Sequence, residues 1–257
     1  MELLQDPASL LLLALVGLIA GFIDAVVGGG GLLSIPALLS FGLPPHQALG
    51  TNKLSACFGS ATSAWTYYRQ QLLTPAFWHH SAMATLMGAL LGTVAVYLTD
   101  ADVLQKLLPL VIMAIALYTL VKPSAIEHPK AQEPQAPASH KHQWLQGLPL
   151  GFYDGYAGPG IGAFWTLSSS RLYRLPVLQN CALARAMTLI SNITALTVFM
   201  FFGQVDVAIG LFLGASMMAG AYLGARSAIH FGLPFIRPVF ILIVFAASTQ
   251  LAWRAWF

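Results

Sequence analysis

Long apolar runs separated by short polar stretches make up most of this 257-residue chain. A helix needs about 20 residues to cross a bilayer, and eight of the runs reach roughly that length; they fall near 9–27, 47–68, 77–98, 103–121, 145–168, 182–202, 206–226 and 234–253. Their apolar positions are continuous rather than alternating, which favours helices over the strands of a membrane barrel. The pattern predicts an all-α integral membrane protein with about eight transmembrane helices.

The two halves of the chain repeat one another when the numbering is shifted by about 132. The segment "GALLGT" at 88–93 matches "GAYLGA" at 220–225, and Lys53 matches Arg185. Between the halves, residues 122–143 are rich in Pro, Ala, His and Gln and have almost no apolar pattern, as expected of a flexible linker outside the membrane. We therefore predict two homologous four-segment repeats, 1–121 and 144–257. The sequence leaves open whether they are parallel or inverted.

Composition and charge agree with this class and exclude several others. Only 8% of the residues are charged, against about 25% in an ordinary soluble domain. Glu2 and Asp6 precede the first run, so it lacks the basic start of a signal peptide and is predicted to remain as a span. The net charge of +3 forms no nucleic-acid-binding patch, and the two cysteines have no metal-ligand spacing. The sequence indicates no metal, no cofactor and no nucleic-acid partner.

Two similar motifs place an aspartate and several glycines inside apolar segments: "GFIDAVVGGGG" at 21–31 and "GFYDGYAGPGIG" at 151–162. Consecutive glycines destabilise a helix by about 1 kcal/mol each. We therefore predict a helix break at each motif, followed by a re-entrant half-helix at 32–42 or 162–170. Free N–H groups at the start of a half-helix form an anion site. The candidate glycines are Gly28, Gly29, Gly30, Gly31, Gly158 and Gly160.

Charged side chains within apolar segments are the other candidates, because such groups are functional hypotheses by default. Asp24 and Asp154 lie at equivalent places and either cap the broken backbone or couple transport to a proton or cation. Lys53 and Arg185 also lie at equivalent places and either contact the anion or extend to the membrane surface. Neutral donors lie near them, namely Thr51, Asn52, Ser60, Thr188 and Asn192. Of these, Thr51, Asn52 and Asn192 complete the predicted substrate site. The glycine pairs Gly88/Gly92 and Gly220/Gly224 are instead predicted to serve helix packing.

The order of motifs resembles the TauE/SafE family, the sulfite-exporter-type permeases also called TSUP. The residues that carry the resemblance are the two aspartate–glycine motifs, "ALGTNKLSACFGS" at 48–60, "GALLG" at 88–92 and "ALARAMTLISN" at 182–192. The second half departs from similar proteins at Arg185, where lysine is frequent, and at Thr188, where asparagine is common. The resemblance implies a multi-helix bacterial inner-membrane permease that moves sulfite, sulfonates or related sulfur-containing anions.

The leading hypothesis is thus a secondary transporter for a small anion, not an enzyme. A passive anion channel and an intramembrane aspartyl protease using Asp24 and Asp154 are the alternatives. The expected partners are the substrate anion, the lipid bilayer and, as an open possibility, further copies of the chain. Counting Lys and Arg over eight crossings favours both termini in the periplasm. That count places Arg69 and the linker outside, and Arg171, Arg174 and Arg226 inside.

Overall fold

A computed structural model describes residues 6–74, 78–104, 106–107, 110 and 139–232. The chain forms the helices α1 (Pro7–Val27), α2 (Gly31–Ser40), α3 (Pro45–Arg69), α4 (His79–Tyr97), α5 (His140–Tyr156), α6 (Ile161–Tyr173), α7 (Val177–Phe201) and α8 (Val207–Phe231). Within these ranges α1, α4, α7 and α8 are long and apolar enough to cross a membrane. The prediction of an all-α membrane protein is confirmed.

Some predicted segments fall outside the described residues. These are most of the span at 103–121, the whole span at 234–253, and linker residues 122–138. The predicted end of the linker at 143 differs from the structure, because α5 already begins at His140. Within α5 the Oε1 of Gln143 accepts from the N–H of Ser81 at the beginning of α4 (3.0 Å), which links the two helices at this end.

Both predicted helix breaks are present. The first lies between the end of α1 at Val27 and the start of α2 at Gly31, and the second between Tyr156 and Ile161. Gly28 has a φ of 86° and Gly158 a φ of 87°, a left-handed conformation that costs glycine little and other residues much more. Each break therefore depends on a glycine that turns the chain out of its helix.

Small residues bring two helix pairs into close contact. Gly220 and Gly224 of α8 lie against the backbone of Leu18 and Phe22 in α1, and an alanine Cβ at either glycine would overlap that backbone. Gly88 and Gly92 make the same contact between α4 and the backbone of α5. The prediction that these glycines serve packing is confirmed.

The contacts also give the directions of the helices. Later residues of α8 contact later residues of α1, and Gly210 and Gly214 contact Leu54 and Phe58 of α3 in the same order, so α1, α3 and α8 run parallel. Later residues of α4 likewise contact later residues of α5, so these two helices are also parallel to each other. In contrast, Gly50 of α3 contacts Phe199 of α7, and Lys53 contacts Asn192, so α3 and α7 are antiparallel.

Helices at equivalent sequence positions, α3 and α7 above all, therefore run in opposite directions, as inverted repeats require. Four full crossings per half would have given parallel repeats. The difference arises because α2, of 10 residues, turns back after the break, so that α3 starts again from the side where α1 started. The duplication itself stays a prediction from the sequence.

Candidate functional site

The two helix breaks touch each other near the centre of the helix bundle. The N–H of Gly162, at the start of α6, donates to the carbonyl oxygen of Gly28 (3.3 Å). An alanine Cβ on Gly28 would overlap Gly162 Cα, and one on Gly31 would lie 3.5 Å from Pro159 Cα. Backbone groups of the two halves are thus in direct contact, and the glycines make that approach possible.

An ion pair joins the first half to the second break. Lys53 of α3 lies 2.8 Å from Oδ1 of Asp154 in α5, and its Nζ also donates to the Asp154 carbonyl oxygen (2.6 Å). A third acceptor is Oδ1 of Asn192 at 3.2 Å. Lys53 and Asp154 are each 2% exposed. Lys53 therefore does not extend to the membrane surface but lies fully buried between the halves.

A second ion pair joins the second half to the first break. Nη1 of Arg185 donates to the carbonyl oxygen of Asp24 and lies 3.0 Å from its Oδ2. The other carboxylate oxygen of Asp24 accepts from the N–H of Gly30 (3.3 Å). Asp24 therefore caps the glycine break, one of its two predicted roles, while pairing with the arginine.

The two ion pairs are built from equivalent helices, with the roles of the two halves exchanged. In both, a cation from a central helix contacts a carboxylate near the end of the helix that precedes the other half's break. In both, the cation also takes the backbone carbonyl oxygen of the same aspartate. The four formal charges sum to zero, which suits a site shielded from water because an unpaired buried charge is very costly.

Several N–H groups at the starts of α2 and α6 already donate to acceptors within the protein, whereas the prediction was an anion at the start of each half-helix. Asp24 holds the N–H of Gly30, and those of Leu32 and Ala163 donate to the carbonyl oxygens of Gly29 and Gly160. Orphan backbone groups are expensive away from water, which explains why these donors find acceptors in their own break or, for Gly162, in the other one. The structure describes a closed centre, and an anion has to displace these contacts to reach the N–H groups.

Thr51 and Asn52 do not contact either ion pair through their described hydrogen bonds. The hydroxyl of Thr51 accepts from the N–H of Asp206 at the start of α8 (2.9 Å). The Asn52 Oδ1 accepts from the hydroxyl of Ser34 in α2 (2.5 Å). Both side chains are buried and tie α3 to neighbouring elements. The structure thus brings Lys53, Arg185, Asn192, the two aspartates and the glycine breaks together, with Thr51 and Asn52 beside them in α3.

Two further hydroxyls lie beside the central charges: that of Thr188, which was predicted from the sequence as a nearby neutral donor, and that of Ser191, which was not. Both are buried in α7, and Thr188 lies three residues after Arg185 and four before Asn192, on the same helical face. Among the described residues, neither hydroxyl has a hydrogen-bond partner, and the same is true of Nδ2 of Asn192. Spacing along α7 is the sequence signal that points to Thr188; no comparable signal points to Ser191.

Comparison with known proteins decides the family. The sulfite exporter TauE/SafE family model matches residues 13–251. The chain belongs to the TauE/SafE family. It is 37% identical over 251 residues to the "Probable membrane transporter protein ORF9" of Sinorhizobium sp., covering 96% of this chain and 95% of that protein.

Two further relatives of this TauE/SafE protein have comparable names. It is 34% identical to a "Probable membrane transporter protein" of Haemophilus influenzae, over 96% of both chains. It is 33% identical to the "Probable membrane transporter protein YfcA" of Escherichia coli, over 96% of this chain and 90% of that one. No solved structure gives a significant match. The predicted family is confirmed, and the protein is a multi-pass membrane transporter rather than an enzyme.

Proposed function

We propose that this TauE/SafE protein is a secondary transporter for a small sulfur-containing anion, which binds where the two helix breaks meet. The observation that carries the proposal is the closed contact between the breaks, flanked by two buried ion pairs that each join one half to the other. Discontinuous helices that meet at a repeat interface are the usual site of substrate binding in transporters built from inverted repeats. The family name, sulfite exporter, supports the class of anion.

The ion pairs give the anion a binding mechanism. Lys53 and Arg185 are the buried cations of the centre, and each is already held by a carboxylate. An entering anion exchanges with a carboxylate as the partner of a cation, and the N–H groups of the breaks become donors when the halves separate. Because each pair joins the two halves, this exchange also loosens the contact that keeps the centre closed, as alternating access requires.

The distribution of surface charge supports an orientation. Cations collect at the end of the bundle where α3, α6 and α8 end and α5 begins; these are Arg69, Lys141, Arg171, Arg174 and Arg226. The opposite end, among the described residues, holds Asp6, Asp100, Asp102, Asp206 and one lysine, Lys106. Cytoplasmic ends carry the excess of Lys and Arg.

The N-terminus is thereby proposed to be periplasmic, as the sequence favoured, and the start of α5 cytoplasmic. The sequence-based count placed Arg69 and Arg226 on opposite sides. That placement was wrong, because both residues line one cleft at the parallel ends of α3 and α8.

Labelling of single cysteines tests the orientation. Asp100 and Lys141 are exposed at opposite ends, whereas the native Cys57 and Cys181 are partly or fully buried. In intact spheroplasts, a membrane-impermeant maleimide is expected to label Asp100→Cys at once and Lys141→Cys only after permeabilisation. The reverse order of labelling contradicts the orientation, and the unsubstituted chain provides the background.

Transport by the purified protein in proteoliposomes tests the function. We expect uptake of sulfite or an organic sulfonate from a panel of sulfur anions, with accumulation above the external concentration when a proton gradient is imposed. The double variant Lys53→Gln/Asp154→Asn keeps the centre neutral but removes one charged donor. A charge-assisted hydrogen bond is worth about 1.5–3 kcal/mol, so the KM of this variant is expected to rise roughly 10- to 150-fold.

The double variant is the suitable one because Lys53→Gln alone leaves the Asp154 carboxylate buried and unpaired, at a cost of about 3–5 kcal/mol in stability. Thermal unfolding in detergent controls for folding. Flux that only equilibrates the anion across the membrane assigns the protein to the passive channels. Absence of flux for the whole panel, or an unchanged KM in the folded double variant, contradicts the proposed substrate or site.

A further inference from the structure

The two central ion pairs lie at equivalent positions but differ in how many of their carboxylate oxygens have a partner. Around Asp24, Oδ1 caps Gly30. Oδ2 accepts no hydrogen bond from the described residues, but it lies 3.0 Å from Nη1 of Arg185 and so has a cation beside it. The guanidinium itself is wedged between Gly28 and Gly162, where an alanine Cβ at either position would overlap it. In the closed state this pair is packed tightly between the two breaks.

The other pair is incompletely satisfied. Oδ1 of Asp154 binds Lys53, but among the described residues Oδ2 of Asp154 has no hydrogen-bond partner although the residue is only 2% exposed. Nδ2 of Asn192, whose Oδ1 contacts Lys53, also lacks a partner within that part of the chain. A buried carboxylate oxygen without a donor is an expensive arrangement, and it leaves Oδ2 as the oxygen of this pair that is open to a proton.

Charge balance connects this oxygen to the substrate. The four central charges sum to zero, so a monovalent anion that enters alone leaves the buried site with a net charge of −1. A proton that arrives with the anion restores neutrality. In a site shielded from water, that difference is worth several kcal/mol.

We propose that Asp154 is the proton-coupling residue of this transporter: its Oδ2 binds one proton for each monovalent anion, and protonation releases Lys53 to the anion. The Arg185–Asp24 pair has the other role and holds the two breaks together in the closed state. The proposal rests on the proposed anion transport. In the coupled step the Lys53–Asp154 ion pair breaks, the carboxylate becomes a carboxylic acid, and the Lys53 ammonium pairs with the anion while Nδ2 of Asn192 becomes a donor to it.

Among Asp154 and the groups that surround it, the Asp154 carboxylate is the one that changes charge. Lys53 and Cys57 of α3 and Tyr153 of its own helix interact with it electrostatically. The thiol and the phenol are neutral at physiological pH, and the hydroxyl of Tyr153 is held by the carbonyl oxygen of Pro159 (2.6 Å). From α7 the neighbour is the neutral Asn192, and from α4 the neutral Thr93, which bonds the carbonyl oxygen of Gly155.

Calorimetric titration of the purified protein with methanesulfonate tests the proposal, because this anion does not itself titrate near neutral pH as sulfite does. The titration is run at pH 7 in Tris and in imidazole, which contain neither sulfonate nor phosphate. The dependence of the observed enthalpy on the ionisation enthalpy of the buffer gives the number of protons taken up per anion. We expect about one for the unsubstituted protein and none for Asp154→Asn, which binds the anion without a proton.

The unsubstituted protein alone decides the outcome if a variant fails to fold. Anion binding with no proton uptake overturns the coupling while leaving anion transport intact, and so does proton uptake that persists in Asp154→Asn. The absence of any binding heat, for methanesulfonate and for the transported anion of the flux panel, overturns the proposed function itself. The two failures are therefore distinguishable.

Discussion

Alanine at position 162 is expected to abolish transport and to remove most of the protein's stability. Gly162 starts α6 against the first break, and the added Cβ would overlap both Nη2 of Arg185 and Cα of Gly28. The guanidinium cannot withdraw without leaving Asp24 buried and unpaired, and breaking such a pair costs about 3–5 kcal/mol. The backbone of Gly28 cannot withdraw without losing the contact between the breaks. Against a typical total stability of about 5–15 kcal/mol, the substitution is severe.

Gly31→Ala is the matched control for Gly162→Ala. Gly31 lies in the other glycine break, but its nearest neighbours to a new Cβ are Pro159 Cα at 3.5 Å and Ile35 Cδ1 at 3.6 Å, which are ordinary contacts. Alanine also favours the helix that begins there, by up to about 1 kcal/mol. Thermal unfolding of the two variants in detergent is expected to show a large fall in melting temperature for Gly162→Ala and little change for Gly31→Ala. Equal melting temperatures would mean that the contact between the breaks does not hold the bundle together.

The helix breaks could be predicted from the sequence because their cause is local. Four glycines in succession at 28–31 disfavour a helix wherever they stand, and a short apolar segment after them is too short to cross the membrane. The structure adds which glycines do the turning: Gly28, Gly158 and Gly160 have positive φ, whereas Gly30 and Gly31 do not. The sequence alone does not separate these roles, since all are glycine in a similar setting.

The pairing of the central charges could not be predicted because it is a property of how the halves meet. All four residues were candidates, yet nothing in the spacing of Lys53 and Asp154, 101 residues apart, indicates their contact. That the charges pair could be predicted, because two cations and two carboxylates inside apolar segments cannot stay buried without partners. Which cation meets which carboxylate follows only from the antiparallel course of α3 and α7.

The direction of the helices, in turn, depended on whether the short pieces cross the membrane. Hydropathy does not distinguish a short apolar segment that turns back within the membrane from one that continues across it, because both are apolar. The surface charges, once the helices are placed, collect at one end of the bundle. The same arginines had been divided between the two sides when eight full crossings were assumed.

A disulfide across the two breaks is expected to stop transport completely and reversibly. A Cβ on Gly31 would lie 3.5 Å from Pro159 Cα, so the two Cα atoms are no more than ~5 Å apart, within the range that a disulfide bridges. The variant Gly31→Cys/Pro159→Cys should therefore cross-link in the closed state shown by the structure. If the anion passes where the breaks meet, the halves have to separate there in each cycle, and a covalent bond prevents it.

The measurement is uptake of the substrate anion into proteoliposomes by this double-cysteine variant, before and after reduction, with cross-linking quantified in the same samples. Each single-cysteine variant, which cannot form the bond, controls for the substitutions themselves. We predict no uptake by the oxidised double variant, recovery on reduction to the rate of the single variants, and no response to oxidation in either single variant. Undiminished uptake by fully cross-linked protein would contradict the claim that the substrate passes between the two helix breaks.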